Sequence, residues 1–523
     1  MRSPIAGSPS CDSPEYMFWA WDAYFACPPQ RALFPLCYNP YSCIQVIILH
    51  EVGVPGLKRA LILLFSVLPA CMMSLSCGSS TPPSTQTTGI KYRALITNNV
   101  SAGTLAAGVY ILDDQNDERA SGSAISAGNN PGMMVVTPNR TLTLVYSGIG
   151  TQASDNQLTV INNASETGAG KLTLPGVTES IVVSPDSSVA YVAVPTAPVT
   201  GQSPGSVEVI ALGSGTVTGQ ADVPAVHYLA INNGGNRVLG FSDNSDSVAV
   251  ITPSQIGIGN AVTYIGGPGV FDRPVAAFFS SDDSTAFVLS CGAECGGTQA
   301  SVQQFNLLTN TLVASVPACV PQPGSNPVMC AAGSPPAGSV ALVNGSTMYV
   351  AGTPPYVGGL PQQPCTGETT ASQSCGLLTI VNLSTMSVVN TAPIIITDGY
   401  HDRIALGANG QLFIGSHTCT EIVQPVPPPV GAEVRGCLSI YNTLNTAVGL
   451  APANGVLIPP ANGDVTGIEP IALRNVIYVV QGGSLGIYDA LTDAFEYNPN
   501  DPNNPGQINN LVGQFIDVKS IDF

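Results

Sequence analysis

The sequence predicts an all-β protein, a β-propeller of four-stranded antiparallel blades, and three observations carry that prediction. A hairpin pattern returns every 45 to 65 residues or so, roughly the length of a propeller repeat. Each hairpin is followed by a third strand and a less regular fourth, and the two ends of the repeat region are complementary fragments of one blade. The clearest hairpin is TESIVVSPDSSVAYVAVP, Thr178 to Pro195. Alternating apolar residues over Ser180–Val183 and Val189–Val194 flank the turn formers Ser184, Pro185, Asp186 and Ser187. Period-two alternation on both sides of such a turn reads as two antiparallel strands.

In chain order, the residues from Lys91 give RALITNN, GVYILDD and ASGSAIS, which are strands two, three and four of a blade without a first strand. Complete hairpins follow from Met133, Thr178, Tyr228, Val275, Ser339, Arg403 and Pro470, with third strands from Gln157, Ser206, Ser247, Ser301, Leu377, Leu438 and Leu485. The C-terminal QFIDVKSIDF, from Gln514, supplies a lone first strand. Pairing it with the N-terminal fragment closes the ring and hides the sheet edges. Seven complete blades and this composite one make eight, with seven the count if one unit is degenerate.

The turn and strands SPDSSVAYVAVP and SVEVIAL resemble the YVTN-type β-propeller repeats of the lactonase-like propellers, on Ser184, Pro185, Asp186, Tyr191 and Val192. The resemblance spans about Lys91 to Phe523. It implies the propeller fold, and it transfers no catalytic residue to a position here.

Lys and Arg number 15 against 33 Asp and Glu, for a net charge of -18. The few scattered cations leave no footprint for nucleic acid. Residues 1–56 contain no repeat strand and no assignable fold. From Leu57 the chain reads LKRALILLFSVLPACMMSLSCGSSTPPSTQTT: two cations, a short apolar run, a cysteine and a Ser/Thr/Pro tract. That order is a bacterial secretory signal followed by a tether, and the apolar run is too short for a membrane span. Cys77 in SLSCGSS fits a lipoprotein processing site, with Cys71 in LPAC the alternative. The expected division is an upstream extension over 1–56 with translation starting near Val52 or Val54, a signal over 57–77, a tether over 78–90 and the propeller over 91–523. The expected location is the bacterial cell envelope, reached by export and held by a lipid anchor.

Eight cysteines in the propeller fall in near pairs: Cys291 with Cys295, Cys319 with Cys330, Cys365 with Cys375, and Cys419 with Cys437. Even number and close spacing in an exported chain read as local disulfides, although spacing does not fix connectivity. Only His417 stands near Cys419, so no metal is expected.

Strand alternation puts the loops between strands one and two, and three and four, on one face; loops two-to-three and four-to-one lie on the other. The first face carries short turns. The second carries the long insertions Pro195 to Gly205, Cys319 to Gly338, Gly352 to Cys375 and Ser416 to Cys437, together with all four cysteine pairs. Long stapled loops on a rigid scaffold are where binding surfaces usually form. The four-to-one loops bring Glu179, His227, Tyr228, Asp272, Arg273, Tyr400, His401, Asp402, Arg403 and Glu469 toward the central channel. Mixed acids, bases and histidine around a concave mouth are expected to bind a ligand.

Three motif matches fail on context. GGSLG, Gly482 to Gly486, lies in a strand-to-strand turn rather than a nucleophile elbow. TGAGKLT around Lys171 has no following helix. DDQNDE, Asp113 to Glu118, lacks the glycine and closing glutamate of a calcium loop. No motif implies a cofactor. The expected function is a non-catalytic binding or scaffold lipoprotein that holds an envelope protein, peptide or glycan on its long-loop face. The alternative is a lactonase-like hydrolase with His401 as general base, oriented by Asp402 or Glu469.

Overall fold

The computed structural model describes residues 87–99, 106–148, 155–325, 328–331, 333–355, 375–419, 437–444, 455–459, 463–472, 474–496, 506, 508 and 511–522. The signal, both lipidation candidates and the N-terminal extension lie outside them, as does Cys365.

Among the described residues the strands form eight antiparallel sheets, one per blade, and the ring is an eight-bladed propeller. The first blade is the composite one: Arg93–Asn98, Gly108–Asp113 and the short Glu118–Arg119 are joined on their inner side by Phe515–Ser520. The predicted fourth strand here is brief, but Ile125 still exchanges both backbone hydrogen bonds with Val109, at 2.8 and 2.9 Å. Blade two runs Pro131–Val136, Leu142–Ser147, Gln157–Asn162 and Thr167–Thr173. That last strand is TGAGKLT, so Lys171 sits in a strand edge and not in a phosphate loop. Blades three to eight open with inner strands Ser180–Val183, Val226–Ile231, Pro274–Phe279, Val340–Asn344, Tyr400–Leu406 and Val465–Ile471. In blade six the outer position is filled twice, by Ser387–Val388 and Ile394–Ile396 pairing with different stretches of Gly376–Asn382. Gly482 and Gly483 form the tight turn of a hairpin that pairs Gln481 with Ser484.

The S-P-D turn owes its shape to side-chain chemistry. Ser184 Oγ donates to Asp186 Oδ1 at 2.5 Å, and the same oxygen accepts Ser188 N at 3.1 Å; Val189 N returns to Ser184 Oγ at 3.0 Å. Ser280, Asp282, Ser284 and Thr285 repeat this network in blade five, and Thr137, Asn139, Thr141 and Leu142 repeat it in blade two. The residue after the Asp or Asn acceptor adopts φ between 57° and 61° at Arg140, Ser187 and Asp283. Local hydroxyl and carboxylate or amide oxygen acceptors are what make that left-handed step tolerable outside glycine.

Each apolar cluster joins neighbouring blades rather than filling one. Leu144, Tyr146 and Leu158 of blade two meet Ile181, Ala190 and Val192 of blade three. Across the closure, Ile471, Tyr478 and Val480 of blade eight meet Ile96, Tyr110, Phe515 and Val518 of blade one. The ring is thus held by a continuous belt of inter-blade core, the product of strands two and three being buried on both faces.

Three disulfides are formed between described residues, Cys291–Cys295, Cys319–Cys330 and Cys419–Cys437, with Cα separations of 5.7, 5.6 and 5.5 Å. Cys375 is disulfide-bonded as well. The three staple the long-loop side of blades five to seven, and they fit an oxidising, exported environment. No helix among the described residues is long and apolar enough to cross a membrane. Replacing Cys319 and Cys330 together by serine is expected to cost about 2–3 kcal/mol, the scale for a loop of this length. Denaturant unfolding checks this; an unchanged midpoint would mean that other contacts hold the loop.

Candidate functional site

The inner strands line the channel, and most begin with an irregularity. Register shifts fall between Pro131 and Met134, Val226 and Tyr228, Pro274 and Ala276, His401 and Arg403, and Val465 and Gly467. A bulge turns two consecutive residues off the alternation. Here it does so at the same level in these five blades and, opposite Ile96 and Asn98, at the start of the inner strand of blade one, on the face of the long loops.

The result is a mouth to which all eight blades contribute. A cavity of about 590 Å³ is lined by Ile516, Met133, Glu179, Tyr228, Val275, Val340, Asp402, Arg403 and Thr466, among others. Beside it, a second cavity of about 410 Å³ is lined by His227, Asp243, Arg273, Cys295 and Phe241. Glu179, Tyr228 and Tyr400 line both. The hydroxyls of Tyr228 and Tyr400 hydrogen-bond at 2.8 Å, linking blade four to blade seven. These blades are not neighbours, so the pair is a bar across the opening. Burial raises both phenols, and they stay neutral at physiological pH.

Around the bar, bases sit against carboxylates. His227 donates from Nε2 to Glu179 Oε2 at 3.0 Å and from Nδ1 to Asp243 Oδ1 at 2.9 Å. The Glu179 hydrogen bond is the main reason its value rises to about 9, with Asp243 adding to it against partial burial. Glu179 is correspondingly lowered, chiefly by the same bond. Arg273, held at φ 57°, places Nη1 3.0 Å from Asp246 Oδ1. Arg403 donates from Nη1 to Asp402 Oδ2 at 2.8 Å and from Nε to the Thr466 carbonyl at 2.7 Å. His417 Nε2 lies 3.0 Å from Asp402 Oδ1, with Nδ1 3.9 Å from Asp464 Oδ2.

Seven of the ten sequence-selected residues therefore line the two cavities: Glu179, His227, Tyr228, Arg273, Tyr400, Asp402 and Arg403. The other three are elsewhere. The His401 ring is fully buried; its Nε2 donates to the Thr397 carbonyl at 3.0 Å, and burial lowers it to about 4. A neutral ring shut away from both cavities is not placed to act as a base at the mouth, and Asp402 turns to His417 and Arg403 instead. The bulge after His401 is the physical reason. Glu469 accepts from Ser520 N at 3.1 Å and lies 3.8 Å from Lys519 Nζ, on strands that line the channel rather than its mouth. Asp272 accepts from Thr298 N at 2.9 Å and Gln299 N at 2.7 Å, tying down the Cys291–Cys295 loop.

Asp243, Asp246 and Glu294 were not singled out from sequence and His417 was noted only as the histidine beside Cys419; all four lie at or in two-to-three loops. Strand alternation puts those loops on the same face as the four-to-one loops, so topology was the signal that could have found them. Glu294, in the one-turn helix Gly292–Cys295, reaches to blade six and accepts Thr353 N at 3.1 Å. Burial raises it to about 8.

The elevated value of His227 has a consequence for stability. Its folded value lies above the ordinary 6.5, so its contribution is whole below about 6.5 and is lost as pH rises through about 9. Relative to His227→Gln, the parent is expected to lose on the order of 1–2 kcal/mol across that window, the half-exposed carboxylates tempering the effect. Paired urea titrations at pH 6 and pH 9.5 measure this; a constant difference between the two proteins would refute it.

No family model matches the chain, and no curated protein matches it in sequence. Among solved structures it is similar to hydrazine synthase of Kuenenia stuttgartiensis, at 12% identity over 71% of this chain and 99% of that one, with a TM-score of 0.48. It is similar to the dihydro-heme d1 dehydrogenase NirN in complex with DHE, at 13% identity over 82% and 74%, with a TM-score of 0.49. A third likeness is the β-propeller domain of Myceliophteria thermophila Cps50 (Swd1), at 10% identity over 71% and 99%, with a TM-score of 0.42. Likenesses at these levels carry nothing about chemistry. What the strand pairing itself establishes is an eight-bladed β-propeller with disulfide-stapled loops.

Proposed function

We propose that this is an exported, lipid-anchored propeller of the YVTN-repeat kind that binds a protein or peptide partner at the channel mouth, and that the partner presents basic groups. One observation carries the reading: the bases at the mouth already lie against carboxylates. Glu179 and Asp243 hold His227, Asp246 holds Arg273, and Asp402 holds Arg403 and faces His417, with Asp464 beyond. An arriving anion has to displace one of these acids. A cation meets an excess of carboxylate, two tyrosine rings and a preformed cavity, in a chain whose net charge of -18 favours its approach. The repeated S-P-D turn network supports the YVTN reading, and the disulfides support export.

Fluorescence anisotropy with labelled hexalysine and hexaglutamate peptides tests the proposal. Hexalysine is expected to bind, and Glu179→Gln with Asp402→Asn is expected to weaken it about tenfold, the scale of one desolvated charge contact. The same neutralisation on the opposite face, at Asp186 and Asp282, is expected to have little effect. Equal losses from both pairs would reduce the binding to overall charge, and binding of neither peptide would turn attention to a glycan.

A further inference from the structure

The place where the chain joins the propeller is fixed by a small buried clamp. Thr88 donates from N to Glu166 Oε2 at 2.6 Å and from Oγ1 to Glu166 Oε1 at 2.7 Å. Arg93 Nη1 binds the same carboxylate at 2.9 Å and the Asn163 carbonyl at 2.7 Å, while Nε and Nη2 grip Asp522 at 2.6 and 3.0 Å. The Arg93 and Glu166 side chains are only 12% and 7% exposed, so this is a built junction rather than a passing surface contact. Burial opposes the charge on Arg93, yet the Asp522 and Glu166 bonds raise its value overall, Asp522 contributing most.

Glu166 lies in the turn between strands three and four of blade two, and Asp522 follows the end of the inner strand of blade one. Both positions are on the face of the short turns. The mouth, with Tyr228, Tyr400 and the stapled loops, opens on the other.

We infer that the anchored protein stands with its channel mouth turned away from the membrane, as an outward-facing surface for a partner that arrives from the aqueous side. The inference rests on the lipid-anchor reading given under the proposed function. Cys77 and Thr88 are eleven residues apart. A chain of that length reaches at most about 38 Å when fully extended. To turn the mouth down, the tether has to leave the short-turn face, pass two strands to the blade edge and climb the height of a six-residue strand. That route is about 30 Å before any loop is cleared. It consumes most of the tether's extension, whereas the mouth-outward pose consumes none. If Cys71 were the modified residue, the longer tether would relax the bias without changing the face from which it leaves.

The acylated, processed protein in phosphatidylethanolamine–phosphatidylglycerol vesicles with an acceptor dye on the headgroups provides the test. A donor dye is attached through an unnatural residue at Ser214, in a short turn of blade three, or at Ser203, in the long loop of the same blade. Several-fold stronger energy transfer from Ser214 is expected. Membrane-bound protein with equal transfer from both sites, or with the order reversed, overturns the orientation while leaving the anchor intact. Protein that stays in the supernatant when the vesicles are sedimented removes the anchor, and the inference with it.

Discussion

Ending the chain at Gly513 is expected to abolish cooperative folding. The missing segment contains the inner strand of blade one, whose Ala94, Leu95, Ile96 and Asn98 partners would then present an open edge to the channel. It also removes Phe515, Val518 and Ile521, each no more than 2% exposed, from clusters that tie blade one to blades eight and two. Burying three such side chains contributes roughly 5–9 kcal/mol. That is comparable with the whole stability of about 5–15 kcal/mol typical of folded proteins. The loss also takes Asp517, whose carboxylate accepts Met134 N at 2.8 Å, so blade two is loosened as well. The expected product is aggregated or protease-sensitive protein with no sharp thermal transition, read by calorimetry. A truncated protein that melts cooperatively near the parent temperature would show that the seven other blades close without this strand.

Replacing Glu294 by glutamine is expected to stabilise the protein in base and to do little in acid. The carboxyl titrates near 8 in the folded chain because burial disfavours its charged form, against an ordinary 4.5, with the Ser339 side chain and the Thr353 and Gly338 amides only partly offsetting this. A raised acid means that the folded chain holds its proton more tightly than the unfolded one. Stability is then whole below about 4.5 and declines as pH rises to about 8, by on the order of 2–4 kcal/mol at the far end. Glutamine keeps an acceptor for Thr353 N and cannot ionise. Unfolding midpoints at pH 5 and pH 9 should differ between the two proteins only at the higher pH. Equal midpoints at both would mean that the carboxyl is solvated in the native protein.

The architecture was legible because its causes are local. Period-two alternation in stretches such as VAYVAV and the hydroxyl–carboxylate chemistry of Ser184 and Asp186 each act within a few residues, and repetition multiplies the signal. Closure was legible because RALITNN and QFIDVKSIDF are incomplete alone. The mouth was only partly legible. Alternation assigns every second residue of a strand to the channel, but the bulges at Val226/Tyr228 and His401/Arg403 suspend that rule where the mouth-lining side chains sit. They bring His227 and Tyr228 together at the opening, and they turn Asp402 and Arg403 into it while enclosing His401. Asp243 meets His227 and His417 meets Asp402 from the two-to-three side of the same blade, and Asp464 reaches His417 from the start of blade eight; these contacts join residues distant in sequence, and no local pattern marks them.

Photo-cross-linking in intact host cells tests most directly whether the mouth is the working surface. Benzoylphenylalanine placed at Tyr400, on the bar across the opening, is compared with the same residue at Ser214 on the short-turn face. A discrete adduct to a basic protein or peptide from Tyr400, absent from Ser214 and lost on neutralising Glu179 and Asp402, is the predicted result. The same adducts from both positions, or an adduct from Ser214 alone, would contradict a binding role for the mouth.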